Sequence, residues 1–176
     1  MIVASQRYSY SGFRGTAADT KAYNRISTRG KAIVRYAASP APTLKQRLAD
    51  ALAQAKSLAS EGVRYLGTDR AKDFRTRLTE LLNPEDWEDG DVVLREASTR
   101  TMIRTAIAVD APTGGLTLTA AGNLVCTWHD GERKVRVEAL PNGYVSWAII
   151  KRVGEELVPN HKVADTINGF QAALQA

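Results

Sequence analysis

The spacing of apolar positions divides the chain into a helical stretch followed by a stranded one. From Thr43 to Glu61, Leu44, Leu48, Leu52 and Ala55 recur at i, i+4, i+8 and i+11, with Ala51 and Leu58 beside them. Lys45, Arg47, Asp50 and Lys56 fall off that stripe, which is the signature of an amphipathic helix. Thr43, following Pro42, supplies an N-cap, and Gly62 a stop. A second helix is predicted from Asp69 to Leu82, with Phe74, Leu78, Leu81 and Leu82 on its apolar face. Asn83-Pro84 ends it, because the residue before proline avoids the helical region. A third helix fits Val92 to Val109 and sends Val92, Met102, Ile103, Ala106 and Ile107 to the core.

Beyond Val109 the period shortens to two. Leu116 to Thr119 reads as a short strand. Asn123 to His129 alternates, with Leu124, Cys126 and Trp128 on one face. Arg133 to Leu140 alternates again, placing Val135, Val137 and Ala139 opposite Lys134, Arg136 and Glu138. Asp130-Gly131 and Pro141-Asn142-Gly143 mark the turns between them. Tyr144 to Ile150 is a further strand carrying Val145, Trp147 and Ile149. A last amphipathic helix is expected over Lys162 to Leu174, with Val163, Ile167, Phe170 and Leu174 on one side. The predicted fold is therefore α+β. N-terminal helices precede a three- to four-stranded antiparallel meander, which packs on a C-terminal helix and on the third helix.

The first 42 residues follow no such pattern. They contain Gly12, Gly15, Gly30, Pro40 and Pro42, with a helical turn expected over Thr20 to Ile26 and a strand over Lys31 to Tyr36. The expected organisation is an arm at 1–42, a helical region at 43–83 and an α+β domain at 84–176. Charge separates the arm from the rest. It carries Arg7, Arg14, Lys21, Arg25, Arg29, Lys31 and Arg35 against Asp19 alone. Of the chain's 24 basic and 19 acidic residues, 17 and 18 then remain for the other 134 positions. Such asymmetry points to an arm that meets an acidic protein surface or a nucleic acid. With 44% hydrophobic and 24% charged residues the composition is globular. No apolar run approaches the ~18 residues that cross a bilayer. Met1 to Tyr10, interrupted by Gln6, Arg7 and Ser9, does not read as a signal peptide. The lone Cys126 excludes an intramolecular disulfide. A cytoplasmic protein without membrane contact is the expectation.

Residues 84–176 carry a recognisable series of motifs. Trp87-Glu-Asp-Gly90 lies in an acidic loop, and Leu-Thr-x-x-Gly-Asn-Leu-x-x-x-Trp spans Leu118 to Trp128. Arg133-Lys-Val-Arg-Val-Glu138 follows, then Pro-Asn-Gly-Tyr-Val-Ser-Trp from Pro141 to Trp147. This half of the chain resembles a widespread group of small bacterial proteins whose wording is near NWDG, PTPDGGIxLEW and LEVEVxPDGxxxY. It departs from them in Glu85-Asp86 ahead of Trp87 and in Thr127 where the group prefers Glu. The resemblance implies a non-enzymatic accessory protein, of the kind that forms one half of a toxin–antitoxin-like or phage-defence pair. It transfers no catalytic residue.

Read for chemistry, the strongest signal is the mixing of rings and cations in the arm. Arg7, Tyr8, Tyr10, Phe13, Arg14, Tyr23, Arg25 and Arg29 are the candidate partner-binding residues. Tyr and Arg anchor protein interfaces, and the same pair contacts phosphates and unpaired bases. The leading expectation is docking on a larger protein partner through the arm and the first helix, and nucleic-acid binding by the arm is the alternative. A third reading is a small hydrolase or nuclease, which would have to combine the acidic loop (Glu85, Asp86, Glu88, Asp89, Asp91) with His129 or His161. The plainer reading of that loop is a solvated turn whose Asp89 or Asp91 opens the third helix, where the dipole favours a carboxylate. Cys126 and His129, three apart on a strand, leave opposite faces and make no dyad. Gly114-Gly115 lacks the Lys-Ser or helical continuation of a nucleotide loop. Trp128 and Trp147 fall on the apolar side as core residues. No motif calls for a cofactor or a metal.

Overall fold

A computed structural model describes the strands at 23–28 and 31–36 and all of residues 41–176. The chain divides into two units, Met1–Ala41 and Pro42–Ala176, and each is described by itself. In the first unit, β1 (Tyr23–Thr28) pairs antiparallel with β2 (Lys31–Tyr36). The register sets Tyr23 opposite Tyr36 and Arg25 opposite Val34. Lys31 to Tyr36 is the strand expected, but residues 23–26 extend rather than coil into a helical turn. A strand partner two residues further on satisfies backbone groups that one isolated helical turn would leave open.

The second unit opens on α1 (Leu44–Leu66). Thr43 caps it in a reciprocal capping box: the Thr43 hydroxyl accepts from the Gln46 N–H, and Gln46 Oε1 accepts from the Thr43 N–H at 2.8 Å. The helix passes through Gly62 instead of ending there. A Cβ at Gly62 would stand 3.1 Å from Ile103 Cγ2, so glycine is what lets the third helix approach. Val63 and Leu66 extend the apolar face, and Gly67, with φ +83°, makes the stop. Next come α2 (Thr68–Leu81), a 3₁₀ turn at Pro84–Asp86 and α3 (Glu96–Val109). Residues 92–95 are not helical, and Val92 is exposed rather than buried. The Arg95 N–H donates to the Gly122 carbonyl at 2.9 Å, a tie to the sheet that holds this stretch out of the helix.

The sheet is a five-stranded antiparallel meander, one strand or more beyond expectation. Its order is β3 (Leu116–Leu118), β4 (Leu124–Asp130), β5 (Arg133–Ala139), β6 (Val145–Val153) and β7 (Glu156–Asp165). The additional strand is β7, and it displaces the start of the expected last helix. Residues 162–165 belong to this strand, Val163 is 74% exposed, and α4 runs from Ile167 to Gln175. His161 accordingly sits on a strand. The sequence hides β7 because Pro159 and Asn160 interrupt it; proline is confined to edge strands, and β7 is an edge.

One face of the sheet packs against helices. The third helix lies along β4 and β5, and α4 lies on β6 and on α3. Val135, Val137, Ala139, Val145, Leu124, Met102 and Phe170 are all buried in that layer. Phe170 sits between the two core tryptophans, 6.3 Å edge-on from Trp128 and 5.9 Å from Trp147 by ring centroids. The buried Ser98 hydroxyl donates to the Ala139 carbonyl at 2.7 Å and accepts from the Leu124 N–H at 2.8 Å. It thereby fastens α3 across the ends of two strands. Among the described residues, no helix is long and apolar enough to cross a membrane.

Candidate docking face of the sheet

Strand alternation assigns each side chain of the meander to one of two faces. The inward set is covered by α3 and α4, and no described helix packs on the outward set. Directly paired residues share a face, so the register reads out the outward rows. Thr127, Arg136, Ala148 and His161 form one row, and His129, Lys134, Ile150 and Pro159 the next. Arg152 and Leu157 continue the pattern onto the hairpin. In these two rows the outward side chains over β4 and β5 are cationic or polar, with the buried Val125 beside Glu138 in the next row, and over β6 and β7 they are mainly small or apolar. Lys134, Arg136, His129, His161, Pro159 and Leu157 are exposed, while Ala148 and Ile150 are half-buried. The one acidic residue in these strands' outward rows, Glu138, accepts from Asn123 Nδ2 at 2.9 Å. Among the described residues, Lys134 and Arg136 enter no ion pair.

The β6–β7 hairpin runs past the end of β5, whose Arg133 pairs with Lys151. Residues 152–157 therefore have no β5 neighbour. The loop is Gly154-Glu155, with Gly154 at φ +64° in the first central position of a two-residue turn. Val153, Leu157, Val158 and Val163 are 57%, 62%, 47% and 74% exposed. At the other end of β7 the pairing shifts register: Val145 meets Asp165 but Trp147 meets Lys162, so β7 carries one extra residue. Ala164 takes the left-handed conformation there, with φ +53°. This bulge turns Asp165 inward, where its carboxylate accepts from Trp147 Nε1 at 3.1 Å, Lys162 Nζ at 3.0 Å and the Thr166 N–H at 2.9 Å. Lys162 first, and the indole N–H with it, hold the Asp165 carboxyl below the usual carboxylate range.

The candidate partner-binding residues of the arm divide in two. Tyr23 and Arg25 lie on β1. Arg7, Tyr8, Tyr10, Phe13, Arg14 and Arg29 lie outside the described residues.

The acidic loop borders a cleft of about 520 Å³ shared with α2 and β3. Its lining includes Arg77, Glu80, Asp86, Trp87, Asp91 and Leu118. Most of these polar groups serve one another. Arg77 donates to Glu80 at 2.6 Å and to the Leu116 carbonyl at 3.0 Å, and Trp87 Nε1 donates to the Leu81 carbonyl at 3.0 Å. Asp91 does not open the third helix, which starts at Glu96 and has Arg95 at its N-cap. Its carboxylate instead closes the loop by accepting from the Glu88 N–H at 2.9 Å. Among the described residues, no three His, Cys, Asp or Glu side chains gather as a metal site.

The histidines and the acidic loop are not brought together. Leu118 of the cleft pairs with Leu124 at the start of β4, and His129 is five residues further along, or roughly 17 Å. His161 stands three strands across from β4. Cys126 is buried and its thiol donates to the Pro112 carbonyl at 3.0 Å. Burial pushes that thiol up to about 12, which keeps it protonated and unreactive at neutral pH. Gly115 is a packing glycine: a Cβ there would overlap the Thr127 carbonyl, whose own N–H donates to Gly115 O at 3.1 Å.

Alternation in the sequence places Lys134 and Arg136 on a basic polar face, whereas the β7 part of its apolar half, with Pro159 and Leu157, is not legible because β7 has no alternating pattern. The usable signal was Gly154-Glu155 between Val153 and Leu157, a two-residue hairpin loop flanked by aliphatic residues. Together these features define a two-layer α+β unit with one sheet face on which no described helix packs. Compared with protein-family models, curated proteins and solved structures, the chain matches none.

Proposed function

We propose that this is a non-catalytic binding protein that docks on a larger protein partner. The observation that carries the reading is the β6–β7 hairpin, where Val153, Leu157, Val158 and Val163 all stand open. Single exposed aliphatics are ordinary on protein surfaces. Val153 and Val158 lie on one face of the hairpin and Leu157 on the other, so the hairpin tip carries the exposed apolar surface that marks interaction sites. Burying such a side chain contributes roughly 1.5–3 kcal/mol, so covering two or three of them supports a specific contact. The cationic rows of the adjoining sheet would add orientation and speed of encounter. The basic, ring-containing arm at 1–42 is a second contact in this reading. The setting is an antitoxin-like or phage-defence accessory subunit of a bacterial cytoplasm, for which the support is the motif wording of residues 84–176.

The test is affinity capture from the native host with the full chain and with a Val153→Ser, Val158→Ser variant, followed by mass spectrometry. A discrete partner protein held by the parent chain and lost by the variant is the expected result. Equal recovery by both would remove the hairpin from the interface, and recovery of no protein by either would end the reading.

The excess of seven basic residues over one acidic residue in the arm favours a second reading, in which the arm binds nucleic acid. Phosphate contacts release counterions, so affinity for a DNA or RNA probe would fall steeply and linearly in log salt. A flat salt response would remove it.

A further inference from the structure

The outward face of the sheet has a division of chemistry that specifies what could lie on it. One half, over β4 and β5, presents His129, Lys134 and Arg136. The other half, over β6 and β7, presents Ala148, Ile150 and Pro159. We infer that this face seats an amphipathic helix of the partner protein, with its apolar stripe on Ala148, Ile150 and Pro159 and its acidic flank over Lys134 and Arg136. This deepens the docking function proposed above and rests on it.

Three physical arguments select that occupant. The first is charge. Lys134 and Arg136 have no ion-pair partner among the described residues, and Glu138 is already engaged by Asn123. A carboxylate-bearing partner is complementary, whereas a second copy laid face to face would set these cations against their own equivalents. The second is the character of the apolar half. Outward positions of a solvated antiparallel strand are usually polar, yet β6 offers Ala148 and Ile150 between Ser146 and Arg152. No Phe, Tyr or Trp stands in the described outward rows, because Trp128 and Trp147 point to the core with Phe170, and the rings there are the imidazoles of His129 on β4 and His161 on β7. Unpaired bases would find only these two imidazoles, three strands apart, and the Arg136 guanidinium to stack on, a sparse platform that disfavours single-stranded nucleic acid. The third is size. From β4 to β7 there are three inter-strand spacings, about 14 Å in all, and a helix with its side chains is about 10–12 Å across. One helix laid along the two middle strands, β5 and β6, therefore reaches the cationic strip with one flank and the apolar strip with the other.

The experiment measures fluorescence anisotropy of three labelled 18-residue peptides with the full-length chain. The first peptide carries a leucine stripe at i, i+3, i+4 and i+7 flanked by glutamates. The second has lysines in place of the glutamates, and the third has two central prolines in the stripe. The expected result is saturable binding of the first peptide alone. Its affinity should fall about tenfold or more with Lys134→Glu plus Arg136→Glu, and severalfold with Ile150→Ser. Lys134 and Arg136 are exposed, so their replacement leaves the core intact, and parent-like circular dichroism of the variants establishes this. Equal binding of the glutamate and lysine peptides would overturn the inference. So would undiminished affinity in the double variant, or displacement of the peptide by single-stranded RNA at equal charge.

Failure here is separable from failure of the function. If the host partner is still captured by Lys134→Glu, Arg136→Glu but lost with Val153→Ser, Val158→Ser, the protein docks through its hairpin and the sheet face is not the seat.

Discussion

Trp147 Nε1 donates to the Asp165 carboxylate in the buried layer, and the Trp147 ring stands beside Phe170. Asp165 also blocks space: a Cβ on Gly169 would come within about 2.5 Å of its carboxylate oxygen, so the glycine admits the acid. Because this carboxyl is held below its ordinary value, the unfolded chain binds the proton more readily than the folded one. The stability it contributes is complete above the unfolded value of about 3.9, and it is lost as pH falls through the lower folded value. Asp165→Asn should therefore flatten the acid limb of a melting-temperature profile below pH about 4, while lowering stability at neutral pH. An unchanged acid limb would show that Asp165 does not titrate with folding. Phe170 is fully buried between the two tryptophans. Phe170→Ala should cost about 3–5 kcal/mol by chemical denaturation, the range for emptying a large aromatic site. A loss under about 1 kcal/mol would mean that α4 does not close the core.

The helices and inner strands follow from local rules, and the last strand does not. The α1 stripe of Leu48, Ala55 and Leu58 is buried as its spacing requires. The alternation of β5 is equally faithful, with Val135, Val137 and Ala139 in and Lys134 and Arg136 out. By contrast, Glu156–Asp165 has no alternating pattern, since nearly all of it is exposed. It is held by pairing with β6 and by the bulge at Ala164. The left-handed backbone at a non-glycine residue costs about 1 kcal/mol or more. It persists because Asp165 on one side and the β6 ladder on the other over-determine it. Ala164→Gly should relieve that strain and raise stability by about 0.5–1 kcal/mol, seen as a higher denaturation midpoint. A lower midpoint would show the bulge to be unstrained. Gly62 illustrates the same limit. Glycine reads as a helix stop until a neighbouring helix, here Ile103 of α3, is found against it.

Across the whole chain, Pro42–Ala176 forms a compact unit with its own core. A chain beginning at Pro42 should accordingly keep the parent's helical and strand signature in circular dichroism and a cooperative melt. Loss of cooperativity would show that the first unit is needed for folding. The candidate site was legible in part. Lys134 and Arg136 could be placed on the polar face from sequence, since alternation is local. Ile150 meets Lys134 across the β5–β6 hairpin, but Pro159 could not be joined to them, because that juxtaposition exists only once β7 is paired in register. The acidic loop was legible as a loop, but not the bond from the Glu88 N–H that occupies Asp91.

Periodicity along the chain was enough to establish the α+β class, the three long helices and the central strands, since each expresses a repeat set within a few residues. The fifth strand, the inward turn of Asp165 and the two-sided chemistry of the open face came from pairing between distant segments. Hydrogen bonds between strands and contacts between layers select among conformations that short-range preference leaves nearly equal in energy.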